Sequence, residues 1–113
     1  MSMVYWGVMI HGVTLDDLKW KDNDIDFQEA ALHDELDVDV KLPNGKTIML
    51  SYEPTEDKCY FGFYAGYPWY ERFQGITEKD ADDAIVQFLL PYLDMTEKEL
   101  RKEIDDISTY NCG

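Results

Sequence analysis

The chain has 113 residues, with 24 acidic against 10 basic side chains and a formal net charge of -14. That balance opposes contact with phosphate backbones and anionic lipid heads, so neither nucleic acid nor a membrane is expected as a direct ligand; basic protein surfaces are favoured instead. An apolar share of 45% and an aromatic share of 14% are too high for a disordered chain, so one folded domain over residues 1–113 is expected.

The opening segment MSMVYWGVMIHGV has no basic flank before its apolar stretch and no small-residue cleavage pattern after it, unlike a secretion signal. No run approaches the roughly 20 apolar residues that cross a bilayer. Cys59 and Cys112 are too few for a disulfide framework. A cytoplasmic setting with reduced thiols is expected.

In chain order, residues 3–10 are rich in β-branched and aromatic types and end at His11-Gly12, which predicts a buried strand that lies centrally or under a helix. Thr14 is placed to cap a short helix from Leu15 to about Trp20. Asp26 with Glu29 resembles a capping box, and Phe27, Ala31, Leu32 and Leu36 recur at helical spacing, so a helix is predicted over about 27–35. The period then changes to two: Val38, Val40 and Leu42 point one way, Asp37, Asp39 and Lys41 the other, as in a half-buried strand.

Asn44-Gly45 between alternating segments predicts a type I′ hairpin turn, followed by a strand with Ile48, Leu50 and Tyr52 on its inner face. After a second turn at Pro54 to Asp57, Cys59, Phe61, Phe63 and Ala65 alternate with Tyr60, Gly62, Tyr64 and Gly66 in a third strand of the meander. Thr77 opens the clearest helix, carrying Ala81, Ala84, Ile85, Phe88 and Leu89, and Pro91 should end or kink it near Leu90. Thr96 and Glu99 form a capping box for a last helix with Leu100, Ile104 and Ile107. The fold class is therefore α+β: an antiparallel sheet of about four strands with helices on one face, two of them at the C-terminus.

Signs of chemistry are few. Asp22, Asp24 and Asp26 alternate like a calcium loop, but the turn position that needs glycine holds Phe27 and the place of the bidentate glutamate holds His33. His11 and His33 fall outside any metal-ligand spacing, and His33 reads as a surface residue. Cys59 shares the phase of Phe61 and Phe63 and reads as a small core residue. No nucleophile elbow, phosphate loop or dinucleotide fingerprint occurs, so no enzyme, cofactor or metal is expected. The alternating glycines Gly62 and Gly66 open one strand face, on which a close-packed helix or aromatic rings are expected. Tyr67, Trp69 and Tyr70 crowd with other aromatics into one stretch, and any that stay near the surface are candidate anchors for a partner.

Charge is unevenly distributed. Residues 16–39 hold ten acids against two bases and residues 78–113 hold ten against four, while residues 40–77 balance four against four. Glu78 and Asp82 lie one helical turn apart, with Asp83 beside them, and Asp37 and Asp39 project from one strand face about 6.5 Å apart, spacings close to those of successive phosphates. These residues, with Tyr67, Trp69 and Tyr70, predict a surface that binds a basic protein. The expected function is a non-enzymatic inhibitor of a nucleic-acid-acting protein, in the style of phage anti-CRISPR and anti-restriction DNA mimics, likened in size and composition only. A small accessory domain with a merely solvated acidic face, or a toxin immunity protein, is the alternative. Oligomeric state is not readable from the residues.

Overall fold

The structure, a computed structural model, describes residues 5–22, 26–64 and 75–112, with side chains described over 10–22, 26–64 and 75–107. Five strands form one antiparallel sheet: β1 (Tyr5–Thr14), β2 (Asp37–Lys41), β3 (Thr47–Pro54), β4 (Cys59–Tyr64) and β5 (Asp105–Cys112), in the order β2-β3-β4-β1-β5. Among the described residues three α-helices accompany it, α1 (Phe27–Ala30), α2 (Glu78–Leu89) and α3 (Glu97–Glu103). The fold is thus α+β, and the middle of the chain is the expected meander.

β1 lies between β4 and β5, which accounts for its apolar character. Cross-strand partners share a face, so Val38, Leu50, Phe63, His11 and Asp106 line one row across the sheet, and Asp37, Ser51, Gly62, Gly12 and Asp105 line the next row on the other side. The first of these faces carries the core, where Ile48, Leu50, Phe61 and Val13 meet Ala81, Ala84, Ile85 and Leu89 of α2 with no solvent exposure. Each of the larger of these side chains, the valine, leucines, isoleucines and phenylalanine, stabilises the fold by about 1.5–3 kcal/mol relative to exposure. Phe27 fastens α1 to this layer by ring contacts with Phe61 at 5.3 Å, Trp20 at 5.5 Å and Phe88 at 6.3 Å.

Several local signals act as their chemistry predicts. Asp26 accepts from the Glu29 N–H, and Thr77 with Asp80 and Thr96 with Glu99 form reciprocal capping boxes. α2 stops at Leu89, and a 3-10 turn takes over at Leu90–Tyr92 around Pro91.

Other expectations are corrected. Residues Leu15–Asp17 make a single 3-10 turn with no side-chain cap from Thr14. α1 stops at Ala30, because the chain turns through positive φ at His33 and Asp34, leaving Leu36 in the approach to β2 and 53% exposed. Only Gly45 of the Asn44-Gly45 pair has positive φ, and its N–H donates to Leu42 O while Leu42 N–H donates to Lys46 O. Pro43 fixes a negative φ at the first turn position and imposes a three-residue loop in place of type I′. The largest revision is at the C-terminus: Ile104 is already extended, and Ile107 belongs to β5, which covers the edge of β1 that α3 leaves open.

The atoms nearest to a Cβ placed on Gly62 are backbone atoms of His11 and Gly12. Gly62 faces Gly12 across the β1–β4 pair, so closely that a Cβ on Gly12 would lie 2.6 Å from the Gly62 Cα and one on Gly62 would lie 2.5 Å from the Gly12 Cα. Glycine at both positions is what permits the two backbones to approach. Gly66 lies outside the described residues.

Candidate functional site

Three separated segments meet at His11. The β1–β5 register sets His11 directly beside Asp106, and the Thr77 cap starts α2 so that Glu78 and Asp82, one turn apart, overhang the same end of the sheet. His11 is 7% exposed; its Nδ1 lies 2.7 Å from Asp106 Oδ1 and its Nε2 lies 2.5 Å from Asp82 Oδ1. Burial opposes a charge on this ring, yet the bonds to Asp106 and Asp82 and their negative charge outweigh it and raise the pKa above its ordinary value. As an imidazolium, the ring donates from both nitrogens. Glu78 joins from α2: one ligand atom each from His11, Glu78 and Asp106 lie within 4.8 Å of one another. Among the described residues no lysine or arginine forms an ion pair with Glu78, Asp82 or Asp106.

The remaining acids of α2 are bound into the fold. Asp80 is buried and accepts from Lys46 Nζ at 2.8 Å and from Asn44 Nδ2 at 3.2 Å, which ties the hairpin loop to the helix N-terminus. The Lys46 bond foremost, then the Thr77 backbone N–H, holds its carboxyl down at about 2. Asp83 accepts from Arg101 Nη2 at 2.8 Å and Lys79 Nζ at 3.3 Å, joining α2 to α3. The Arg101 bond, followed by the opposing effect of burial, sets its pKa below the usual carboxylate range.

Asp37 and Asp39 are placed differently. Both stand exposed on the outward face of the edge strand β2, since Val38 and Val40 point into the core. Asp37 accepts a hydrogen bond from Ser51 Oγ at 2.7 Å, and Asp39 sits opposite Met49. Met49, 50% exposed, and Leu36, 53% exposed, are the large apolar side chains left in solvent among the described residues; Met49 pairs with Asp39, and Leu36 precedes Asp37 in the chain. Among the described residues, Asp34, Glu35, Asp37 and Asp39 make no ion pair.

The predicted acidic residues therefore do not converge. β2 and β1 are three strand spacings apart, about 14 Å, and Asp37 and Asp39 face away from the side that carries α2. Tyr67, Trp69 and Tyr70 lie outside the described residues. Two grooves open elsewhere: one of about 580 Å³ between α2 and α3, bordered by Asp83, Gln87 and Arg101, and one of about 370 Å³ beside β2, bordered by Asp39, Phe88 and Tyr92. His11 borders neither of these two.

Sequence reasoning missed the grouping around His11 because its hydrogen-bond partners are 71 and 95 residues away and no short spacing encodes them. The one available signal is a titratable ring in a strand otherwise built for burial, which demands a partner. Compared with known protein families, with curated proteins and with solved structures, the chain finds no match. Among the described residues no helix is long and apolar enough to cross a membrane.

Proposed function

We propose that this protein is a non-enzymatic binding module that engages a basic protein surface through the β2 edge, with Asp37 and Asp39 as the charged contacts and Met49 and Leu36 as apolar neighbours. The observation that carries the reading is the exposed Asp37–Asp39 pair, which forms no ion pair with a lysine or arginine among the described residues, Lys41 on the same face included, and has the exposed Met49 opposite Asp39. Carboxylates about 6.5 Å apart on an extended strand present negative charge at intervals close to those of a nucleic-acid backbone. A protein whose basic groove normally holds nucleic acid is the partner this spacing suits, and occupation of that groove would inhibit it. The reading assigns no catalytic residue and supposes a cytoplasmic setting.

Glu78, Asp82 and Asp83 take a smaller part than the sequence suggests. Reversing Asp82 or Asp83 to lysine would break bonds to His11 or Arg101 and so perturb the fold along with the surface. The direct test reverses Asp37 and Asp39 together to lysine and compares capture of basic nucleic-acid-binding proteins from cell lysate at low and high salt. Loss of a captured protein with the variant, together with weakening of the wild-type complex as salt rises, supports the reading. Equal capture by both proteins, or a complex indifferent to salt, overturns it.

A further inference from the structure

The group at His11 has a composition and charge that the proposed binding role does not use. Three carboxylates, those of Glu78, Asp82 and Asp106, surround one nearly buried imidazole, and among the described residues no lysine or arginine pairs with them. Even with His11 protonated the group keeps a formal charge of about -2, from three carboxylates and one imidazolium.

Its geometry is directional. Asp82 lies against Nε2 and Asp106 against Nδ1, and a carboxylate oxygen of Glu78 lies within 4.8 Å of a ring nitrogen and of an Asp106 oxygen. A metal-ligating histidine characteristically gives its remaining N–H to a carboxylate, which fixes the tautomer and aims the other nitrogen at the cation. Asp82 is placed to be that carboxylate. With Nε2–H held by Asp82, the Nδ1 lone pair points to Asp106, whose carboxylate has Glu78 within 4.8 Å.

We propose that His11 Nδ1, Asp106 and Glu78 form a site for one divalent cation of the zinc or manganese class, with Asp82 as the positioning residue behind the imidazole. One nitrogen and two carboxylate oxygens form a mixed donor set; imidazole suits zinc, carboxylates suit manganese, and magnesium or calcium would prefer oxygen alone. Bonds of about 2.0–2.2 Å put neighbouring ligand atoms roughly 3–3.5 Å apart. The present spread of up to 4.8 Å closes with a side-chain rotation of Glu78, which is exposed and forms no ion pair among the described residues. His11 itself cannot swing away, because it is buried between two bonds. The cation takes the place of the proton between His11 Nδ1 and Asp106, so the ring ends neutral and the formal charge of the group falls to about -1.

The test is calorimetric titration of the chelator-treated full chain with zinc and with manganese chloride, followed by nitrogen-15 NMR of the imidazole. Saturable binding of one equivalent is expected, with the Nδ1 resonance displaced and Nε2 keeping its proton. Glu78→Gln, which disturbs no ion pair among the described residues, should weaken binding at least tenfold, and Asp82→Asn by about 10- to 100-fold with a changed tautomer signature. Asp37→Asn with Asp39→Asn, on the far edge of the sheet, should leave the affinity unaltered. The absence of saturable binding by either metal overturns the proposal. So does wild-type affinity in Glu78→Gln, or equal weakening by the distant pair, which would mark diffuse attraction to an acidic surface.

Discussion

Asp82 and Asp39 carry the same side chain in opposite settings. Asp82 sits against a buried histidine beneath a helix, where its charge is answered from within the chain, while Asp39 stands on the outer face of an edge strand beside Met49, with Lys41 next along that face but no ion pair to it among the described residues. The contrast teaches that net charge does not measure what a surface offers. Acids such as Asp80, Asp82, Asp83 and Asp106 hold elements of the fold together, whereas Asp37 and Asp39 are among the exposed acids that form no ion pair among the described residues.

The strongest way to break this comparison is His11→Ala. It leaves Asp82 and Asp106 facing one another without their shared cation, and because both carboxylates are partly exposed the cost should be about 2–3 kcal/mol, below that of a fully buried pair. Urea unfolding would read it. Adding Asp82→Asn to the variant should recover part of the loss, and wild-type stability in His11→Ala would show that the inner acids are as loosely held as the outer ones.

A smaller effect is expected at Asp80. Its folded pKa of about 2 is below its ordinary value of 3.8, so the stability it contributes is complete above about pH 4 and is lost as the pH falls towards 2. Carboxyl NMR titration should find Asp80 still ionised at pH 3. Lys46→Met removes the main cause of the shift and should return the midpoint towards 3.8; an unchanged midpoint would place the cause elsewhere.

The smallest expected effect on folding is that of Asp37→Asn with Asp39→Asn, within about 0.5 kcal/mol for each exposed position. Thermal melts should overlay those of the wild type, and a loss well above that range would mean that β2 depends on these carboxylates for its structure.

Much of the architecture was legible because it rests on local chemistry. Asp26, Thr77 and Thr96 act at helix starts through bonds to residues three positions on, and Pro91 ends a helix through its own missing N–H. The alternation of Val38, Val40, Ile48 and Leu50 reports burial directly. What escaped depends on distant partners. Ile104 and Ile107 fit a helical period as well as a strand, and only the vacant edge of β1 decides between them. The shortened α1 reflects two left-handed residues, His33 and Asp34, that no apolar pattern announces. The His11 group was illegible for the same reason as β5, since Asp106 reaches His11 only through that pairing.

The pairing of β1 with β5 also orders events in time. Tyr5 lies opposite Cys112 and Gly12 opposite Asp105, so β1, made before the other strands of this sheet, finds this neighbour only when β5 has been made. Until then β2, β3 and β4 can assemble from nearby segments, while one side of β1 stays open to other chains. Synthesis of the residues between β1 and β5 thus leaves a strand without this neighbour, a hazard that an abundance of negative charge, by mutual repulsion between nascent copies, is suited to contain.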